Sequence, residues 1–113
     1  MIRRGQVWIA DFGKPQGHEQ AEVRPAAVLQ VNELNHLTTA VVIPFTTNLK
    51  RSNTAATVLV EQGEGGLTSP SVALCHQIRA LDVRKLRRLI GDLPPVTLYE
   101  IEAAVAFVLG LPS

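Results

Sequence analysis

The sequence predicts a small β-barrel closed by one C-terminal α-helix. Six short apolar or alternating runs follow one another, most of them bounded by Gly, Pro, Asn or Ser. Helical spacing begins only after Pro94-Pro95, and 113 residues allow a single domain, 1–113, with a real core but not two.

The runs take their places in order. "QVWIADF" alternates and reads as the first strand. Gly13 to Val23 is a polar loop rich in Gly and Pro. "PAAVLQV" is short and continuously apolar between Pro25 and Asn32, as expected of a strand buried on both faces. Asn32 to Thr38 makes a turn or a single helical turn. "TAVVIPFTT" is the third strand, and Pro44, which cannot donate to a ladder, marks an edge or a bulge. "NLKRSN" is a loop and "TAATVLVE" a strand. "QGEGGLTSP" carries a strong turn signal, and "SVALCHQIRAL" and "KLRRLIGDL" read as two more strands. Leu98, Ile101, Val105, Val108 and Leu109 then follow helical spacing, with Gly110 as the stop.

Composition excludes several classes. Apolar residues make up 46% and charged residues 19%, ordinary for a globular chain. No apolar run approaches the ~20 residues that span a bilayer, and "MIRRGQVWIADF" lacks the pattern of a signal peptide, so neither a membrane nor export is expected. A single cysteine, Cys75, excludes an internal disulfide and fits a reducing cytoplasm. Eleven Lys+Arg against ten Asp+Glu leave +1, so any nucleic-acid role rests on local clusters such as Lys50-Arg51 rather than on bulk charge.

Chemistry by motif is sparse. His18, His36 and His76 lack metal spacing, and one cysteine cannot build a thiolate zinc site, so no metal or other cofactor is expected. "GEGG" reads as a turn and not a phosphate cradle. Cys75 and His76 are neighbours in a strand, which directs them to opposite faces and makes Cys75 a small buried apolar residue. Polar residues collect where apolar strands start or stop: Arg24, the Thr46-Thr47-Asn48 run with Lys50 and Arg51, and Gln77 with Arg79. Alternation along "SVALCHQIR" puts Ser71, Ala73, Cys75, Gln77 and Arg79 on one face.

"RRGQVWIADF", "GHEQAEVRPAAVLQVNELN", "VVIPFTTNLKR", "GEGGL", "SVALCHQIRALD" and "IGDL" occur in this order before the helix. Together they closely resemble the MazF/PemK family of toxin–antitoxin ribonucleases, over about Arg3 to Leu111. The resemblance implies an SH3-like barrel of the CcdB/MazF/PemK type with a C-terminal helix, built as a homodimer. It implies metal-independent, sequence-selective cleavage of single-stranded RNA, held in check by a cognate antitoxin. On this sequence the family's active-site arginine falls on Arg24 and its threonine on Thr46. Glu19 and Gln20 match the acidic–amide pair of the first loop, and Asn32 and Gln77 match groove-lining positions. His18 stands where serine is common, and His76 where an acid often precedes the glutamine.

RNA brings its own nucleophile, the ribose 2′-OH, so the protein must remove a proton, neutralise the phosphorane and protonate the leaving 5′-oxygen. A guanidinium forks onto phosphate oxygens but stays charged, which makes Arg24 a transition-state stabiliser rather than a base. Thr46 would orient a phosphate oxygen or the 2′-OH. Glu19, His18, His76 and water all stand as the base. Gln20, Asn32 and Gln77 would read base edges, Lys50 and Arg51 the backbone, with Thr47, Asn48 and Arg79 completing the RNA-binding set. The rivals are a protein-binding gyrase poison of the CcdB type and a non-catalytic barrel that binds RNA or a partner.

Overall fold

The computed structural model describes residues 1–14, 17 and 22–112. Among the described residues, seven strands precede one helix: β1 (Gln6–Asp11), β2 (Val23–Val28), β3 (Thr39–Thr46), β4 (Thr57–Val60), β5 (Ser71–Leu74), β6 (Arg79–Asp82), β7 (Leu86–Asp92) and α1 (Pro95–Leu109). Every pairing is antiparallel. The strands run β4-β5-β3-β2-β1-β7 across the sheet, and β6 adds to β3.

β3 is the hub. One edge pairs with β2, with Ala26 opposite Pro44 and Val28 opposite Val42. The other edge changes partner: Thr39–Val42 pair with β6, and Phe45–Thr46 with β5. Pro44 therefore lies in a buried central strand, neither at a sheet edge nor at a bulge. It sits in the gap between the two partners, and a break in pairing is where a residue without an N–H costs least.

The same partner change corrects the reading of "SVALCHQIRAL" as one strand. Cys75–Gln77 forms a 3-10 turn that separates β5 from β6. The Cys75 N–H leaves β3 to donate to Ala56 O at 3.0 Å, and Ile78 N–H donates back to Cys75 O. Strict alternation consequently stops at Leu74, and Gln77 does not continue the face begun by Ser71.

Both faces of the sheet are covered. Paired residues in an antiparallel ladder share a face. Ala27, Ile43, Phe45, Ala73 and Cys75 point into one cluster, which α1 completes with Ile101, Ala104 and Val105. Ala26, Val28, Val42 and Leu81 point the other way, into a second cluster with Ala10 and Phe12. The run Ala26-Ala27-Val28 is buried throughout for this reason. Pro95 opens α1 and Gly110, at φ 68°, ends it, donating to Ala106 O and Phe107 O. Of the residues with helical spacing, Ile101 and Val105 are buried, Leu98 packs at the core's margin, and Leu109 stays exposed.

The barrel is not closed by hydrogen bonds. No ladder joins β4 to β7 among the described residues. Instead the turn between β4 and β5 is pressed against β7: a Cβ on Gly66 would lie 1.9 Å from Ile90 O, and one on Gly91 would lie 2.6 Å from Gly65 C. "GEGGL" and "IGDL" are two halves of one seam, where the lack of side chains lets two backbones touch. Glu64 fastens the seam to α1 by accepting the Thr97 hydroxyl, and its other oxygen accepts the Glu61 N–H at 3.1 Å. Among the described residues no helix is long and apolar enough to cross a membrane.

Candidate active site

Arg24 opens β2 opposite Ala10 of β1. It thus shares the face of Ala10, Ala26 and Val28. Thr46 closes β3 and lies two residues beyond Pro44, just as Arg24 lies two residues before Ala26, the partner of Pro44. Continuing that register sets Arg24 and Thr46 opposite each other, on one face and at one end of the sheet. Arg79, paired with Val42, opens β6 on the same face, four residues along β3 from Thr46. Its guanidinium carbon stands 5.5 Å from the centroid of the Phe12 ring.

The local environment suits each group. Arg24 is half-buried beside a covered strand. Thr46 is buried, and its hydroxyl oxygen accepts the Asn48 N–H at 3.2 Å, which fixes it and leaves its proton to donate. The first loop is pinned at its base: Phe12 N–H donates to Glu22 O at 2.9 Å, and Glu22 N–H donates to Gly13 O. Glu22 takes φ 62°, an uncommon left-handed value for a residue with a side chain, two positions before Arg24. Asp11 faces away from Arg24 in the alternation. Its carboxyl is held below the usual range by the Gly13 N–H and by Arg87 at 3.1 Å.

Other candidates fall elsewhere. His18, Glu19 and Gln20 lie outside the described residues. Asn48 caps the turn after β3, accepting the Lys50 N–H, and Thr47 and Lys50 are exposed beside it. His76 sits in the 3-10 turn after β5, past the strand end remote from Thr46, with Nε2 3.5 Å from Arg51 Nη2. Arg51, Thr54, Ala56, Thr57 and His76 line a hollow there of about 450 Å³. Gln77 shares that turn. Asn32 lies past the opposite end of β2 from Arg24, where its side-chain oxygen accepts from Arg4 N–H at 2.7 Å and Asn35 Nδ2 at 2.9 Å. Within one chain the register sets Arg24 beside Thr46, the Arg79 guanidinium lies over Phe12, Arg51 is grouped with His76, and Asn32 accepts hydrogen bonds from Arg4 and Asn35. Cys75 is fully buried, and burial pushes its thiol up to about 12, so it is inert as a nucleophile.

A cavity of about 360 Å³ opens on the opposite side of β2, lined by Pro25, Thr47, Ser69, Ser71 and Arg88 among others. Pro25 follows Arg24 in the strand and so faces away from it. Sequence reading did not single out Phe12, whose relation to Arg79 is long-range and has no local signal. Among the described residues, no His, Cys, Asp and Glu side chains group as a metal site.

Residues 3–109 match the family described as PemK-like, MazF-like toxins of type II toxin–antitoxin systems. The chain belongs to that family. Endoribonuclease MazF of Staphylococcus epidermidis is 34% identical over 112 residues, spanning 98% of this chain and 93% of that protein. A mycobacterial endoribonuclease solved with its cognate antitoxin has a TM-score of 0.82 at 26% identity, covering 100% of this chain and 99% of that one. The Mycobacterium tuberculosis toxin MazF-mt6 has a TM-score of 0.79 at 27% identity over 96% and 99% of the two chains. These likenesses favour the ribonuclease toxin over a gyrase poison of the CcdB type.

Proposed function

We propose that this toxin, an endoribonuclease by family, cuts single-stranded RNA without a metal, using Arg24 and Thr46 on the scissile phosphate. The observation that carries the reading is the β2–β3 register, which aligns these two side chains at one end of one face. The ribose 2′-oxygen attacks phosphorus as its proton is removed, and the bond from phosphorus to the 5′-oxygen breaks. The products are a 2′,3′-cyclic phosphate and a 5′-OH. The Arg24 guanidinium balances charge on the phosphorane's equatorial oxygens. The Thr46 hydroxyl, already oriented by Asn48, donates to one of those oxygens. Proton removal falls to Glu19, His18, His76 or water.

Lys50 and Arg51 hold the RNA backbone, and Thr47, Asn48, His76 and Gln77 lie along its path after the cut. Asn32 takes part only if a second copy brings its turn to the site, consistent with a homodimer. A cognate antitoxin inhibits by occupying the cationic surface, and the protein works in the cytoplasm. The test is incubation of the purified toxin with a long RNA in excess chelator, followed by analysis of the ends. Cyclic-phosphate and 5′-OH ends that vanish with Arg24→Ala are expected. Cleavage that needs added metal, or that survives Arg24→Ala, overturns the reading.

A further inference from the structure

Phe12 ends the alternation Trp8, Ala10, Phe12 and packs in the same cluster as Ala10 and Ala26. Its ring is almost wholly buried, yet one face of it carries a guanidinium. β1, β2, β3 and β6 alternate in direction, and β6 starts opposite Val42, four residues along β3 from the level of Arg24 and Thr46. Three strand spacings of ~4.8 Å separate those strands, about 14 Å along a flat sheet. That span exceeds the reach of one arginine, so the sheet curls to bring the Arg79 guanidinium to Phe12, and Phe12 lies two residues beyond Ala10, the partner of Arg24, on the same face. A buried aromatic face is a good seat for a cation, because the ring attracts it and surrounding apolar groups exclude water. The seat also restricts a long side chain, so less rotamer freedom is lost when a ligand arrives.

Resting on the ribonuclease reading above, we propose that Phe12 is a positioning residue. Its ring holds the Arg79 guanidinium beside Arg24, where Arg79 takes an RNA phosphate next to the one being cut. Arg79 then contributes equally before and during the chemical step, which raises affinity rather than turnover. A leucine in place of Phe12 keeps an apolar filler but removes the seat; a tyrosine keeps the ring.

The experiment measures KM, kcat and the salt dependence of binding on an RNA oligonucleotide spanning a mapped cleavage site. Phe12→Leu is expected to raise KM about 3- to 10-fold with kcat within about twofold, and Phe12→Tyr to restore KM. Arg79→Ala is expected to raise KM similarly and to flatten the log–log salt slope by about 0.7. The double variant should be no worse than Arg79→Ala alone. Wild-type KM in Phe12→Leu overturns the proposal, as do losses that multiply in the double variant. A fall in kcat at constant KM also overturns it, since that marks a smaller folded fraction. Arg24→Ala separates the two readings: if it leaves cleavage intact the ribonuclease site is wrong, whereas its failure to cleave beside an unaffected Phe12→Leu sinks only the seat.

Discussion

Two regions of this sheet solve opposite problems. At the seam between the β4–β5 turn and β7, two backbones meet because Gly65, Gly66 and Gly91 offer no side chains. At the candidate active site, Arg24 and Thr46 meet because the β2–β3 register aligns them over a covered apolar face. The seam holds shape and tolerates no added atom; the site holds charge and tolerates loss of atoms without loss of fold. Stability and activity should therefore separate cleanly by region.

The sharpest way to break that comparison is at Gly66. Its φ of 77° and a Cβ clash at 1.9 Å with the Ile90 carbonyl predict that Gly66→Ala costs more than about 4 kcal/mol, read as loss of cooperative melting. Arg24→Ala should do the reverse, lowering kcat about 100- to 1,000-fold while the melting midpoint stays near that of the parent. A melting midpoint that collapsed with Arg24→Ala would show that the two regions are not independent. Thr46 tests the boundary, because it is buried and also in the site. Thr46→Val should lower kcat at least tenfold and destabilise by about 1 kcal/mol, as the Asn48 N–H loses its acceptor, whereas Thr46→Ser keeps most of both. Smaller still is the effect of Cys75. Its folded thiol titrates near 12 against about 8.5 for a free thiol, so the unfolded chain loses its proton first. Stability then falls as pH rises from about 8.5 towards 12, a slope that Cys75→Ala removes in urea titrations. Asp82 gives the mildest signal. Hydrogen bonds from Arg84 hold its carboxyl at about 2, below the ordinary ~3.9, so its contribution is present above that value and fades as pH falls towards 2. Asp82→Asn should flatten acid unfolding over that interval.

What the sequence made legible follows the range of the interactions. Strands with alternating or apolar runs, the helix after Pro94-Pro95 and the Gly110 stop are local matters, and the fold keeps them. The "SVALCHQIRAL" segment was read as one strand because apolar content alone cannot report that β3 changes partner opposite it. Pro44 read as an edge or a bulge, and it lies instead in the gap between the two partners of the hub strand. The glycines of "GEGGL" read as a turn and that of "IGDL" as part of a strand, and only the folded chain matches one against the other. At the site, Arg24 and Thr46 were found by resemblance, and strand register supplies the physical reason that they are neighbours. Asn32 illustrates the limit: a position in the family's groove here spends its side-chain oxygen on Arg4 and Asn35.

The shared role of β3 has a consequence for synthesis. One of its edges must await β5 and β6, and the core beneath it is completed only by Ile101, Ala104 and Val105 of the last helix. A chain still emerging from the ribosome lacks both, and a slip of one residue along β3 would turn Thr46 to the wrong face. The aligned Arg24–Thr46 pair thus depends on a core that the last helix completes.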